Sequence, residues 1–329
     1  MTNWVFFGEA MQELNPAQQL RFGGDTYNSA VYFKRLCGTQ CEVQYATAVG
    51  SDALSAAALQ QWQAEGLGVT YLAIDSKRTL GRYGITLSEG GERTFHYDRS
   101  NSAARAYFQT PLAAKLQAAI ANREVDNLYF SGISLAILSP ADRAQLLTLA
   151  VLQKRLGGRV IFDSNYRAKL WQAALNNEDD NAAESNVEST LESAAQVAAK
   201  WYHTLYQLAD VLLITNDDHS AVFGDSDEAA MVAFYRSYPQ AEVVIKQGTQ
   251  DTLVLTAAQL QRFAVAAISK PVDTTAAGDA FAAGYLAARN QGQSIATAVT
   301  IAQQLAGQVI MAPGAIVETS VALEEYSHV

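Results

Sequence analysis

The chain has 329 residues, of which 49% are hydrophobic and 17% charged, so it can bury a sizeable core, and disorder is excluded as its main state. A formal net charge of −10 excludes broad neutralisation of nucleic acid phosphates, so no nucleic acid partner is expected. The same field repels an anionic substrate unless Arg or Lys side chains gather locally. No run approaches the roughly 20 apolar residues of a membrane span, and we expect a cytoplasmic protein without membrane contact.

Cysteine and histidine content argues against a metal centre or a disulfide framework. The two cysteines, Cys37 and Cys41, are separated by three residues, and the four histidines are scattered along the chain. A structural metal site needs further Cys or His residues at ligand spacing. Two thiols also make a poor framework for a chain of this length, so both are expected to be reduced.

Short apolar runs alternate with longer amphipathic stretches through most of the chain. The apolar runs are bounded by turn or polar residues and predict buried strands. The predicted strands are Trp4–Phe7, Val43–Val49, Asn127–Ser131, Arg159–Asp163, Val211–Thr215 and Val243–Lys246. The predicted helices are Thr26–Leu36, Ala53–Glu65, Pro111–Asn122, Ser139–Leu156 and Ala195–Leu208. Strand–helix–strand alternation predicts the α/β class, with a mostly parallel central sheet and helices on both faces.

Two regions depart from this alternation. Residues 79–99 indicate two alternating strands joined at Ser88–Glu92, an antiparallel hairpin that could form a small separate sheet with Met11–Phe22. Such an appendage often serves as a lid or as a contact between subunits. Residues 176–194 carry six acidic residues without a Lys or Arg, which predicts a solvated surface insertion.

Several common motifs are absent from the sequence. No Gly-Lys-Ser/Thr occurs, which excludes a Walker-type phosphate loop. No Gly-x-Gly-x-x-Gly occurs either, which weakens a dinucleotide-binding interpretation. The segment Gly132-Ile133-Ser134 continues with Leu-Ala, so it is not the turn that presents a nucleophilic serine.

The strongest signal for chemistry lies at Val272–Tyr285, where small residues precede an apolar helix. Ala276–Asp279 are predicted to form a tight turn whose backbone N–H groups point outward at a helix N-terminus. This arrangement is an anion hole, suited to phosphate or to charge that develops in phosphoryl transfer. On its own, Asp279 has a simpler interpretation, as a carboxylate that stabilises the first turn of the helix.

This segment resembles the Asp-Thr-x-Gly-Ala-Gly-Asp signature of the PfkB/ribokinase family of sugar kinases, with Ala276 where glycine is usual. Residues 23–28, Gly-Gly-Asp-Thr-Tyr-Asn, resemble the family's other signature, Gly-Gly-x-x-x-Asn. The resemblance spans nearly the whole chain. It implies one ribokinase-like domain over residues 1–329, with a β-sheet lid from about 9–22 and 76–106. Because lid sheets of two subunits pack together in relatives, it also implies a homodimer or a higher homo-oligomer.

The same resemblance implies roles for individual residues. Asp279 would be the catalytic base. The anion hole would consist of the backbone at Ala276, Ala277 and Gly278. The sugar would be contacted by Gly23, Gly24, Asp25, Asn28 and Asp279.

Within the family, the stretches 7–14, 91–99, 128–140 and 162–167 resemble the kinases of 2-dehydro-3-deoxygluconate (KDG), a sugar acid. The residues that this resemblance implies at the sugar acid are Gly24, Tyr83, Tyr97, Arg99 and Arg167. Arginine suits such a substrate because its guanidinium grips a carboxylate with two parallel hydrogen bonds.

On the nucleotide side, Val244–Gly248 resembles the family's strand-plus-Lys-x-Gly segment beside ATP. Asn216–His219 stands where the family has Asn-x-x-Glu, which helps to organise Mg²⁺, and His219 replaces the Glu. Asp217 or Asp218 could substitute, so the metal ligands stay unassigned. The implied nucleotide-binding residues are Asn165, Asn216, Lys246, Gly248 and Gly278. ATP and Mg²⁺ are the implied cofactors, and a monovalent cation stays open.

The implied activity is ATP-dependent phosphorylation of the C6 hydroxyl of KDG, which yields 2-dehydro-3-deoxy-6-phosphogluconate. One alternative keeps the chemistry but uses a neutral sugar such as fructose. Another is a non-catalytic sugar-acid binder, which His219 and Ala276 suggest. Whether the substrate has gluconate or galactonate stereochemistry is left open.

Overall fold

The computed structural model of the chain describes residues 1–15, 19–87, 93–176, 187–224 and 227–323. The strands are β1 (Thr2–Phe7), β2 (Met11–Leu14), β3 (Arg21–Gly23), β4 (Cys41–Gly50), β5 (Leu72–Asp75), β6 (Gly81–Leu87), β7 (Arg93–Asp98), β8 (Asn127–Ser131), β9 (Arg159–Asp163), β10 (Val211–Thr215), β11 (Glu242–Lys246), β12 (Thr252–Leu255) and β13 (Leu260–Phe263). The helices are α1 (Asp25–Cys37), α2 (Ala53–Ala64), α3 (Pro111–Ala121), α4 (Gly132–Ala136), α5 (Pro140–Arg155), α6 (Ala168–Asn176), α7 (Val187–Tyr206), α8 (Asn216–Phe223), α9 (Glu228–Tyr235), α10 (Ala277–Asn290) and α11 (Ile295–Val309).

The large sheet has the strand order β13-β12-β11-β10-β9-β8-β1-β4-β5. Strands from β11 to β5 are parallel to their neighbours, whereas β12 and β13 add an antiparallel edge. Because side chains alternate along a strand, Val5 and Phe7 of β1 enter one hydrophobic core and Trp4 and Phe6 enter the other. Helices α3, α5 and α7 pack on the first face, and α1, α10 and α11 on the second. The predicted ribokinase-like α/β fold is confirmed.

A small second sheet has the order β3-β2-β6-β7. Strand β2 is antiparallel to β3 and parallel to β6, and β6 forms a hairpin with β7. The separate sheet predicted from residues 79–99 and Met11–Phe22 is therefore present. Its predicted connection, Ser88–Glu92, lies outside the described residues.

Local sequence features explain where several of the helices and strands begin and end. Ser139 caps α5 by accepting a hydrogen bond from the Asp142 N–H, and Pro140 occupies the first helical position, as the sequence predicts. Helix α7 begins at Val187, eight residues before the predicted start, so its first part falls within the acidic segment 176–194. Residues 177–186 of that segment lie outside the described residues.

Short elements such as β5 and α4 were not predicted, because four or five residues carry too little periodicity.

In the described part of the chain, no helix combines the length and the apolar character that crossing a bilayer requires.

Candidate active site

A cavity of about 2410 Å³ opens at the carboxyl ends of β9, β10 and β11 and extends to the small sheet. Ligands of open α/β sheets bind at this edge because the loops that follow the strands converge there. The predicted site residues that line it are Gly24, Asp25, Asn28, Tyr83, Tyr97, Arg99, Asn165, Arg167, Asn216, Lys246, Gly248, Ala276, Ala277, Gly278 and Asp279. Gly23 lies just behind the wall, where a Cβ would stand 2.5 Å from the Tyr83 hydroxyl oxygen. The fold therefore brings these sequence positions to one place.

The loop before α10 is held in a tight turn. The Asp273 carboxylate accepts hydrogen bonds from the N–H groups of Thr275, at 2.8 Å, and Gly314, at 2.9 Å. Ala276 then adopts the left-handed region, with φ of 61°, and α10 begins at Ala277. The N–H groups in the first turn of a helix have no hydrogen-bond partner within the helix, and they carry the positive end of the helix dipole. This turn has the geometry that binds an anion.

Asp279 lies in the first turn of α10 and faces the cavity. Its Oδ2 accepts a hydrogen bond of 2.8 Å from the Asn28 amide. Burial raises the pKa of Asp279 from its ordinary 3.8 to about 7, and the neighbouring Asp25 carboxyl adds to this shift. The Asn28 hydrogen bond and the Lys246 ammonium oppose it. A carboxyl with a pKa near neutrality can take up a proton from a substrate hydroxyl.

Asp163, at the end of β9, forms a second acidic position. Lys246 at the end of β11 donates to its Oδ2 at 3.3 Å, and so does the Tyr129 hydroxyl at 3.4 Å. Burial raises the pKa of Asp163, whereas the Lys246 ammonium lowers it. A Cβ built on Gly278 would stand 3.7 Å from the Lys246 Nζ, so this ammonium lies beside the turn at the start of α10.

Asp25, in the first turn of α1, is buried between the two acidic positions. Its Oδ2 accepts a hydrogen bond of 2.9 Å from the Asn165 amide. Asn165 has a φ of 26°, a conformation that asparagine tolerates better than most residues. Burial raises the pKa of Asp25, and the charges of Arg167 and Arg99 lower it.

A buried ion pair lies in the cavity wall, between the residues that precede β2 and follow β7. Arg99 Nη2 donates to Glu9 Oε2, and both side chains are almost fully buried, at 2% and 1% exposed. The Arg99 guanidinium also lies 5.5 Å from the centre of the Tyr97 ring. Tyr83 donates to Glu13 Oε2 at 2.8 Å. Arg99 is thus a paired residue, whereas the sequence suggested only a contact with substrate.

Arg167 differs from Arg99 because its side chain is exposed to the cavity. Its Nη1 donates to the carbonyl oxygen of Tyr166 at 2.9 Å, which leaves further guanidinium N–H groups directed away from that contact.

The segment after β10 separates into two parts. Asn216, Asp217 and Asp218 line the cavity, but His219 is buried, and its Nδ1 shares a hydrogen bond of 3.1 Å with the Tyr235 hydroxyl. Asp218 accepts hydrogen bonds from the Ser164 hydroxyl at 2.6 Å and from the Tyr166 N–H at 3.1 Å. Asp217 is exposed. His219, which stands where the family has Glu, therefore lies in an aromatic cluster and not in the cavity wall.

Sequence reasoning missed the roles of two cavity residues. Asp163 is the last residue of a buried strand, and polar residues meet at such positions in a parallel sheet, which is the signal that could have found it. Glu9 follows the first strand by two residues, but nothing local reveals that Arg99 becomes its partner.

Comparison with known proteins agrees with this architecture. The model of the pfkB family carbohydrate kinases matches residues 1–183 and 177–321. The chain therefore belongs to the pfkB family of carbohydrate kinases, and it is an ATP-dependent carbohydrate kinase.

Three individual proteins illustrate the similarity. The 2-dehydro-3-deoxygluconokinase of Dickeya dadantii (strain 3937) is 36% identical over 323 residues, which cover 96% of each chain. A fructokinase of Escherichia coli is 27% identical over 288 residues, or 86% of this chain and 82% of the other. The crystal structure of 2-dehydro-3-deoxygluconokinase from Thermotoga maritima superimposes with a TM-score of 0.76, covering 99% of this chain and 98% of the other at 20% identity.

Proposed function

We propose that this kinase phosphorylates the C6 hydroxyl of KDG, with Asp279 as the general base. The observation that carries the mechanism is the position of Asp279, a carboxyl with a raised pKa in the first turn of α10. The observation that favours the sugar acid is the 36% identity with a 2-dehydro-3-deoxygluconokinase along almost the whole chain, against 27% with a fructokinase.

In this proposal the sugar acid binds between the small sheet and α1, with its carboxylate near Arg167 and Arg99. Asp279 accepts the proton of the C6 hydroxyl while that oxygen attacks the γ-phosphorus of ATP. The bond from the γ-phosphorus to the bridging oxygen breaks, and ADP leaves. The N–H groups at the start of α10 and the Lys246 ammonium offset the charge on the transferred phosphoryl group.

Mg²⁺ fits the nucleotide side of this cavity. Among the described residues there is no cluster of three or more His, Cys, Asp or Glu side chains able to hold a metal. Mg²⁺ in kinase sites keeps several waters and is bound by one or two carboxylates together with the substrate phosphates, so such a cluster is not needed. Asp217 and Asp218 are the carboxylates after β10 that would face it. When bound, the ion neutralises charge on the phosphates.

We assign the small sheet the role of a lid over the sugar. Tyr83 of β6 and Tyr97 of β7 line the same cavity as the residues of α1 and α10. A lid that closes on substrate excludes water and limits wasteful hydrolysis of ATP.

The neutral-sugar alternative draws support from the Arg99–Glu9 pair. Because Glu9 already neutralises Arg99, the exposed Arg167 is the arginine that a substrate carboxylate would meet on this wall, where Lys169 is a second exposed cation. Arg167→Ala therefore separates the two substrates. On KDG it should lower kcat/KM about 100-fold, the range for a lost charge-assisted contact. Arg236→Ala, at an exposed arginine in the turn after α9, is the matched control.

The deciding experiment measures ADP release with Mg-ATP against KDG, fructose, ribose and gluconate, with Asp279→Asn beside the parent protein. Turnover on KDG alone, abolished by Asp279→Asn and weakened by Arg167→Ala, supports the proposal. Turnover on a neutral sugar that is indifferent to Arg167→Ala overturns the substrate. Binding of KDG in calorimetry without ADP release from any sugar identifies a non-catalytic binder.

A further inference from the structure

The two cysteines of the chain form a pair at the edge of the sheet opposite the cavity. Cys37 ends α1 and Cys41 begins β4, and the three exposed residues Gly38–Gln40 connect them in a single 3₁₀ turn. Both side chains are free thiols and are buried, at 2% and 1% exposed. A side-chain hydrogen bond joins the two thiols. The two thiols are therefore neighbours at the ends of one short turn.

Two hydrogen-bond donors lie next to the Cys41 sulfur. The Asn290 amide nitrogen is 3.2 Å from it, and the Thr2 hydroxyl is 3.3 Å from it and shares its single hydrogen with Asn290 Oδ1, at 3.1 Å. The orientation of Asn290 is set independently, because its Oδ1 accepts a hydrogen bond of 3.1 Å from the Trp4 indole N–H. An indole nitrogen can only donate, so the Asn290 NH₂ group must face the sulfur.

This environment favours the thiolate of Cys41. Donors stabilise a sulfur anion far more than a neutral thiol, which is a weak acceptor. The Lys34 ammonium adds positive charge nearby, where it donates to the Cys41 carbonyl oxygen at 3.0 Å. The hydrogen bond with Cys37 lowers the pKa of Cys41 most, and the Thr2 hydroxyl and the Lys34 ammonium lower it further, although burial opposes the shift. The hydrogen bond to Cys41 and burial raise the pKa of Cys37.

We propose that Cys41 and Cys37 form an oxidisable dithiol whose oxidant is a small hydroperoxide such as hydrogen peroxide. The Cys41 thiolate attacks one peroxide oxygen, the O–O bond breaks, and hydroxide leaves, so that Cys41 becomes a sulfenic acid. The Cys37 sulfur then attacks the Cys41 sulfur, an S–S bond forms, and the sulfenic oxygen leaves as water with the Cys37 proton. Two electrons pass from the dithiol to the peroxide.

The position of the pair gives the oxidant access and connects the pair to the site. Because only the exposed turn Gly38–Gln40 links the two cysteines, local opening of this turn admits a molecule as small as hydrogen peroxide. Helix α1, which carries Asn28, ends at Cys37, and α10, which carries Asp279, ends at Asn290. The dithiol thus lies at the far ends of the two helices that hold the proposed base and its partner.

The test treats the reduced full-length chain with hydrogen peroxide at pH 7, blocks residual thiols, and measures the intact mass. We expect a loss of about 2 Da, the mass of two hydrogens, without disulfide-linked dimers. Trypsin cuts after Arg35 and Lys77, so one peptide holds both cysteines and should carry the bond. A chain that carries two blocking groups, a gain of oxygen without a disulfide, or dimers as the main product each overturn the proposal.

Cysteine variants show which thiol attacks the peroxide and which one closes the disulfide. In Cys37→Ser, peroxide should convert Cys41 to a sulfenic acid that dimedone traps, whereas Cys41→Ser should give no adduct on Cys37. Asn290→Leu should slow the reaction of Cys41, because it removes a donor to the thiolate. An adduct on Cys37 in Cys41→Ser overturns the assignment. Should a variant fail to fold, the mass measurement on the unchanged chain still decides the proposal, and neither readout depends on which sugar the kinase accepts.

Discussion

The Asn28 amide donates a hydrogen bond of 2.8 Å to Asp279 Oδ2 and joins residues that are 251 positions apart in the chain. It connects the first turn of α1, next to Gly24, with the first turn of α10. The two segments that resemble family signatures therefore meet at one carboxylate. A hydrogen bond to the charged form of a carboxyl favours that form, so Asn28 lowers the pKa of Asp279 while burial raises it.

Removing the Asn28 amide should shift the pH dependence of the reaction. If Asp279 is the base, kcat/KM falls as the pH drops below about 7, because the protonated carboxyl cannot accept the substrate proton. In Asn28→Ala the pKa of Asp279 rises, and the midpoint of this acidic limb should move up by about one pH unit. The measurement is the pH profile of kcat/KM. Ser29→Ala, whose hydroxyl donates to the Asp279 carbonyl oxygen rather than the carboxylate, should leave the midpoint in place.

Asp279→Asn should stabilise the fold at alkaline pH. The folded chain holds the Asp279 proton up to a higher pH than the unfolded chain, so unfolding releases that proton between pH 3.8 and about 7. The free energy of unfolding therefore falls as the pH rises through this window and stays low above it. We expect a gain of about 2–4 kcal/mol at pH 8 and almost none at pH 3.5.

Urea unfolding at the two pH values measures this difference. Asp98→Asn, at an exposed carboxyl of β7, is the control that should change neither value. An equal effect of Asp279→Asn at both pH values would contradict the raised pKa.

Breaking the buried Arg99–Glu9 pair should destabilise the protein even without substrate. Arg99→Ala leaves Glu9 buried without this cation, which should cost about 3–5 kcal/mol. The double variant Glu9→Gln/Arg99→Met removes both charges and should cost clearly less. Urea unfolding of the single and double variants decides, and a cost of the single variant no greater than that of the double would refute the coupling.

Glycine should be preferred at position 276. Ala276 has a φ of 61°, and this left-handed conformation costs an L-residue about 1–2 kcal/mol. Glycine avoids this cost, but it also has greater conformational freedom in the unfolded chain, which offsets part of the stabilisation. Ala276→Gly should therefore stabilise the protein by about 0.5 kcal/mol. Thermal unfolding measures the change. Ala118→Gly, at an exposed position inside α3, should instead destabilise by about 1 kcal/mol.

The Arg99–Glu9 pair bears on how substrate specificity is tested. A loss of activity in Arg99→Ala combines lost stability with any lost substrate contact, because the side chain is paired and buried. The exposed Arg167 is free of this complication, so its substitution reports on the substrate more directly.

Local pattern was sufficient for the central strands and for the turn at the start of α10. Apolar runs such as Asn127–Ser131 and Arg159–Asp163 form strands with the predicted bounds, because a strand buried on both faces needs an uninterrupted apolar run. The turn at Ala276–Asp279 was visible because small residues before an apolar helix permit a close approach of the backbone to a ligand.

Tertiary structure alone decided which side chains are partners. Glu9, just before β2, meets Arg99, just after β7, because β6 pairs with both strands, and no local signal encodes that approach. His219 points into the cluster of Phe223, Phe234 and Tyr235, since packing of α8 against its neighbours sets which face of the helix is buried. Sequence thus determined the elements and the residue types at the sheet edge. Their pairing, burial and pKa shifts depend on contacts between distant segments, which only the folded packing creates.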